Sequence, residues 1–264
     1  YYDLEVDNRI RFKDLDHLDS VKQNRFKIID WLVNYVPAKI SLLPETIYLA
    51  INFLDRYLST AKNRSKYYYD KELRLMALCA LTLAKKVSDD DTDIVLPTPK
   101  EWLSLLSDLK LDNIKEMELD DKKLMSGELH LMKVLNFELT NYPTAYHFFA
   151  RFSHVGELFD NPYQSSKIKS TVEYDLIHYI LELSQLNLEL ICNYLPSQIM
   201  AAVIYVCRLI LGKKPFWTHD LAYYTNYHIS EITDCINDLT DTIDMYKGSW
   251  RTLKKELKRY RLIF

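Results

Sequence analysis

The 264 residues include only four glycines, Gly127, Gly156, Gly212 and Gly248, where a share of ~7% is usual. A G-x-G-x-x-G turn, a Walker A loop and a G-x-S-x-G elbow each need two or more glycines within a few residues, so that backbone amides can approach phosphate or take positive φ; glycines this far apart build none of them. The formal net charge is −3, from 34 Lys and Arg against 37 Asp and Glu, which lacks the basic balance that phosphate binding favours and makes nucleic acid a poor partner.

Glycine scarcity also argues against an all-β chain, whose tight turns lean on glycine, and for long helices joined by short polar loops. At 48% hydrophobic residues the chain can fill one or two full-sized cores. The four cysteines (Cys79, Cys192, Cys207, Cys235) lie far apart with no C-x-x-C and read as reduced thiols of an intracellular protein. No H-x-x-x-H or H-x-x-x-E pair has a third ligand in view, so no metal site is expected. No apolar run approaches the ~18 residues a membrane helix needs, and the acidic, tyrosine-rich start is unlike a signal peptide. The chain begins at Tyr1 without methionine and is read as a piece of a longer protein, with targeting or degradation signals upstream beyond reach. No activated nucleophile, acid–base pair or cofactor loop is visible, so neither an enzyme nor a cofactor is expected.

In chain order, Tyr2 to Phe12 is a lone helix candidate within a leading segment, residues 1–21. From Val21 onward, apolar residues recur at i, i+3, i+4 and i+7. Arg25 to Val36 forms a helix that places Ile28, Ile29 and Leu32 on one side and is ended by Pro37. Pro44-Glu45-Thr46 starts a second, with Ile47, Ala50, Ile51, Leu54 and Leu58 as its inner stripe. The third, Lys71 to Val87, is apolar nearly all round, which places it at the centre of a bundle. The acidic stretch 88–93 with Pro97 and Pro99 makes a loop; a short helix from Lys100 to about Leu106 and an amphipathic one from about Asp121 to Leu135 complete five. Asn141-Tyr142-Pro143 breaks the pattern as a linker.

The second half repeats the plan. Leu75-Met76-Ala77-Leu78-Cys79-Ala80-Leu81 is echoed by Ile199-Met200-Ala201-Ala202-Val203-Ile204-Tyr205, small residues amid large ones that let neighbours approach a central helix. Pro215-Phe216-Trp217 precedes a short helix to about Tyr224, and Ser230 to Tyr246 forms the last. The expected fold is all-α, two tandem five-helix bundles at 22–140 and 141–247, preceded by residues 1–21 and followed by a basic tail at 248–264.

The run Asn24-Arg25-Phe26-Lys27-Ile28-Ile29-Asp30-Trp31-Leu32-Val33, continuing into Leu43-Pro44-Glu45-Thr46-Ile47-Tyr48-Leu49-Ala50-Ile51-Asn52-Phe53-Leu54-Asp55-Arg56-Tyr57-Leu58-Ser59, closely resembles the cyclin box of cell-cycle cyclins. Asn193 to Ala202 is similar to the matching segment of A- and B-type cyclins. The resemblance covers about residues 22–245 and implies a regulatory subunit, found in nucleus or cytoplasm, that forms a heterodimer with a cyclin-dependent protein kinase. Such a subunit packs against the kinase helix whose glutamate must pair with the ATP-site lysine, holds that helix inward and remodels the activation loop.

By the same resemblance, Lys86 and Glu128 take the positions of the family's kinase-contacting lysine and glutamate, and Phe137 and Leu139 those of apolar kinase contacts. Val87 stands where the family has a contacting aromatic ring, and Tyr2 and Val6 align with kinase-touching residues of an N-terminal helix. Arg25 and Asp55 match an internal charge pair that orients the first two helices. The groove by which cyclins recruit Arg-x-Leu substrates and inhibitors falls at Asn24, Lys27, Ile28, Trp31, Asn34, Leu73 and Arg74. Only Trp31 and Leu73 are counted as keeping its apolar character, so the groove is expected to be degenerate and partly basic. Two other readings share the fold: a cyclin of a transcription-associated kinase, and the tandem-repeat general transcription factor that bridges promoter DNA and polymerase, which would need a basic face. Arg208-Leu209-Ile210-Leu211 matches a short degradation pattern but reads as buried helix.

Overall fold

The computed structural model describes residues 2–7, 19–59, 66–88, 96–109, 120–140, 142–158 and 171–246. Among them every regular element is helical. The chain separates into two compact units, one spanning Asp3–Thr144 and one starting at Ala145.

Helix α1 (Tyr2–Asp7) covers the first part of the N-terminal candidate; residues 8–12 and the basic tail lie outside the described residues. The first unit then contains α2 (Asp19–Asp30), α3 (Pro44–Ser59), α4 (Lys66–Ser88), α5 (Pro99–Ser104) and α6 (Asp121–Val134). Local chemistry sets these bounds. Pro37 stops the run begun by α2, whose last turns loosen into a π turn (Trp31–Tyr35) and a 3-10 turn (Val36–Ala38). Thr98 and Glu101 form a reciprocal capping box in front of α5, with Pro99 at its first position. The Asp120 carboxylate accepts the Lys123 backbone N–H at 2.8 Å to start α6. Two helices begin earlier than periodicity predicts: α2 at Asp19 and α4 at Lys66, their first turns being polar or tyrosine-rich and so lacking an apolar stripe.

Helix α4 is the axis of this unit. From Leu75 to Lys85 every residue is buried, and α3 and α6 pack against it. Between α2 and α3, Arg25 and Asp55 meet as a bidentate pair, Nε to Oδ1 at 2.7 Å and Nη2 to Oδ2 at 2.8 Å, fully buried. The bidentate geometry leaves few of the charged atoms to be satisfied elsewhere.

The second unit comprises α7 (Phe149–Val155), α8 (Val172–Leu186), α9 (Leu188–Asn193), α10 (Pro196–Ile210), α11 (His219–Thr225) and α12 (Ile229–Met245). Among the described residues it holds five helices plus the short α9, which Asn187 splits from α8. The Asn187 side chain accepts the backbone N–H groups of Glu189 and Leu190 and donates to Thr242 Oγ1 at 2.7 Å. Helix α10 plays the role of α4, buried from Ile199 to Ile204, with α8, α12 and α7 around it. It ends at Gly212, whose φ of +68° and the Lys213 N–H bond to the Arg208 carbonyl complete a Schellman cap. Arg208 itself is buried, donating to the Gly156 and Pro215 carbonyls. His178 sits among the rings of Tyr146, Phe149 and Tyr174, and burial pulls its pKa down to about 4.

Removing one member of the Arg25–Asp55 pair strands a buried charge. Arg25→Ala or Asp55→Ala is expected to cost about 3–5 kcal/mol in urea unfolding, and the joint change to Met and Leu markedly less than either.

Candidate partner interface

The site is assembled where the C-terminal end of α4 meets the middle of α6. Gly127 explains how close they come: a Cβ placed on it would lie 2.8 Å from Cys79 Sγ and 3.1 Å from the Leu75 side chain. The Cys79 thiol also points at the Leu124 carbonyl, 3.7 Å away, and burial followed by the nearby Glu128 charge pushes its pKa far up, keeping it a thiol. Periodicity alone gives this glycine no purpose, since it weakens a helix by about 1 kcal/mol relative to alanine. Close packing against Cys79 is the compensation.

That approach places the next residue. Glu128 accepts from Lys86 Nζ through both carboxylate oxygens, at 2.7 and 2.8 Å. Lys86 lies two helical turns beyond Cys79 on the same face of α4. The burial is lopsided, with the glutamate side chain 11% exposed and the lysine 44%. The carboxylate is therefore fixed, while the ammonium group keeps a third donor and the carboxylate further lone pairs for an incoming chain. A pair that is half solvated is worth little in the free protein; covered by a partner it becomes a candidate anchor.

Apolar groups stand beside it. Met125 and Leu129, one turn apart on α6 and flanking Glu128, are 68% and 44% exposed. Sequence reading assigned neither, because an apolar residue in an amphipathic helix reads as core. Their offset from the Leu124, Leu131, Leu135 stripe is the signal that separates them.

Phe137, 61% exposed, follows α6 on a turn in which Asn136 and Phe137 both take left-handed backbone, φ 54° and 60°. The Phe137 N–H bonds to the Met132 carbonyl at 2.8 Å and the Glu138 N–H to the Leu135 carbonyl at 3.0 Å. Two adjacent residues with side chains in this region store strain, of the kind that clusters at functional sites. Leu139 and Val87 are half-buried and Val6 on α1 is exposed; the Tyr2 side chain lies outside the described residues.

The residues expected to line a degenerate substrate groove divide between core and surface. Trp31, Ile28, Leu73 and Asn24 are buried, Lys27 and Arg74 half-buried, and Asn34 is exposed, donating to Asp30 Oδ1 at 2.8 Å. The Trp31 indole N–H donates to the Leu105 carbonyl at 3.1 Å, and Arg74 donates to the Leu106 carbonyl. The 3-10 turn after α5 (Leu105–Asp108) thus engages both side chains, and Trp31 and Leu73, expected as the remaining apolar lining, belong to the core.

Among the described residues, no group of three or more His, Cys, Asp or Glu is gathered for a metal, and no helix is long and apolar enough to cross a membrane.

Against known families, the cyclin N-terminal domain matches residues 2–140 and the cyclin C-terminal domain residues 143–260. The chain belongs to the cyclin family. Similar curated cyclins include G2/mitotic-specific cyclin-2 of Antirrhinum majus, 31% identical over 89% of this chain and 46% of its own length. Cyclin-A1-4 of Oryza sativa subsp. japonica is 31% identical over 90% and 61%, and Cyclin-B1-1 of Arabidopsis thaliana 28% identical over 89% and 48%. The chain thus spans about half the length of the curated relatives it matches. Among solved structures, a viral cyclin from herpesvirus saimiri shares the fold, with a TM-score of 0.59 at 15% identity, covering 84% of this chain and 85% of that one.

Phe137→Gly relieves the left-handed strain that Phe137→Ala retains. The glycine variant is expected to be the more stable of the two by about 1 kcal/mol in urea unfolding.

Proposed function

We propose that this cyclin is a cell-cycle regulatory subunit of the A/B-like type, acting in the nucleus or cytoplasm, that binds and activates a cyclin-dependent protein kinase as a heterodimer. The observation that carries this reading is the Lys86–Glu128 pair, with its carboxylate fixed by the α4–α6 approach and its ammonium exposed beside Met125 and Leu129. In this role the pair hydrogen-bonds backbone around the kinase's glutamate-bearing helix, while Phe137 and its apolar neighbours pack against that helix and hold it inward. The chain supplies surface and no reacting group. Driving a kinase from 1:99 to 99:1 in favour of its active arrangement requires roughly 5.5 kcal/mol of differential binding, within reach of an apolar interface anchored by a desolvated ion pair.

Retention of a cyclin-dependent kinase from an extract on the immobilised chain, followed by a phosphorylation assay with and without it, tests the proposal. Lys86→Ala and Glu128→Ala are each expected to weaken kinase binding by about 1–3 kcal/mol. Wild-type affinity in both variants, or a kinase equally active without this chain, would remove the reading.

Recruitment of substrates and inhibitors through an Arg-x-Leu groove is proposed to be weak. Burial of Trp31 and Leu73 and the use of the Trp31 indole N–H by the Leu105 carbonyl support this. Titration of an Arg-x-Leu peptide is expected to give a Kd well above the micromolar range; micromolar or tighter binding counts against it.

A further inference from the structure

Phe137 stands in a backbone conformation that residues with side chains avoid, and beyond the backbone bonds of the turn itself one group from outside also holds it there. That group is Arg56, from the last turn of α3. Its Nη1 donates to the Glu138 carbonyl at 2.8 Å and its Nη2 to the Leu135 carbonyl at 3.3 Å. The two carbonyls bracket the left-handed pair Asn136 and Phe137. The guanidinium carbon lies 3.3 Å from the centroid of the Tyr142 ring, and the Tyr142 hydroxyl donates to Glu138 Oε2 at 3.1 Å.

Arg56 is nearly as buried as a core residue, and a guanidinium taken from water is costly unless its donors are used. Here the guanidinium donates to one segment, residues 135–138, with Tyr142 covering the planar face. The Leu135 carbonyl is among those left without an intrahelical partner at the end of α6, where a cation is also favoured by the helix dipole. Burial lowers the Arg56 pKa, opposed by Tyr142 and Glu138.

We infer that Arg56 and Tyr142 form a clamp that fixes the Leu135–Glu138 turn and so presents Phe137 to the kinase, making Arg56 a positioning residue of an interface it does not itself enter. The last step rests on the kinase-binding reading above; the first, that the clamp fixes the turn, is a property of the free protein.

The test has two arms on the full chain. In hydrogen exchange of the free protein, Arg56→Gln is expected to speed exchange of the Phe137 and Glu138 amides by about tenfold or more, with the α6 interior unchanged once global stability is allowed for. Arg56→Lys, which keeps the charge but loses the planar fork, should fall between; it also serves if the glutamine variant does not fold. Equal acceleration throughout α6, or none at the turn, overturns the clamp.

In the second arm, kinase affinity is measured per folded molecule. Arg56→Gln should weaken binding about tenfold in the wild-type background and in Lys86→Ala, but less than about twofold in Phe137→Ala, the non-additivity expected of residues acting through one group. Loss of the same size in all three backgrounds overturns the positioning role. A wild-type chain that retains no kinase overturns the proposed function and with it the last step, while the exchange arm still decides the clamp.

Discussion

A helix that is apolar on every side must be wrapped, and how tightly it can be wrapped depends on where its small residues fall. In the first unit that helix is α4, and Ala77, Cys79, Ala80 and Ala84 are the points at which neighbours can come near. The closest approach we describe is made by α6 at Gly127. From this one fact the site follows. It fixes the height of α6 along α4, brings Glu128 under the reach of Lys86, and leaves Met125 and Leu129 on the side of α6 turned away from the core. The second unit obeys the same constraint around α10, where the cation near the helix end, Arg208, is buried and its carboxylate partner Glu157, 3.6 Å away, is exposed.

Charge does different work at different depths. Arg25–Asp55 is fully buried and joins α2 to α3; its value is orientation, since a buried pair adds little net stability over an apolar substitute. Lys86–Glu128 is half-immersed and so can still respond to being covered. Arg56 has given its donors to backbone and serves a turn. Burial sets Lys86 apart from the two arginines, and the partner, a carboxylate for Arg25 and backbone carbonyls for Arg56, sets those two apart from each other.

Much of this was legible in the sequence, for identifiable reasons. The all-round apolar run from Leu73 to Ala84 and its echo from Ile199 to Tyr205 announced two central helices, and proline with N-capping residues marked several helix starts. The pairing of Lys86 with Glu128 was legible only through resemblance, since no spacing rule relates residues on different helices. Polar first turns hid the true starts of α2 and α4. The split at Asn187 was hidden because its cap is completed by Thr242, far away in the chain. The burial of Trp31 escaped notice for a like reason: its hydrogen-bond partner is a backbone carbonyl at Leu105, and a carbonyl carries no residue signature. Gly127 looked like a defect in α6 until the Cys79 side chain was seen against it.

The bare surface at Gly127 divides α6 into positions of two kinds. A larger residue there, or in place of Cys79, would push the whole helix outward and carry Glu128 and the following turn with it, so these positions cannot change one at a time. Met125 and Leu129 are exposed on the side away from the α4 contact, and their exchange alters the surface without moving its anchor. In the proposed role, the strength of partner attachment and the choice of partner are thereby written in separate residues of one helix, and the second can drift while the first is held.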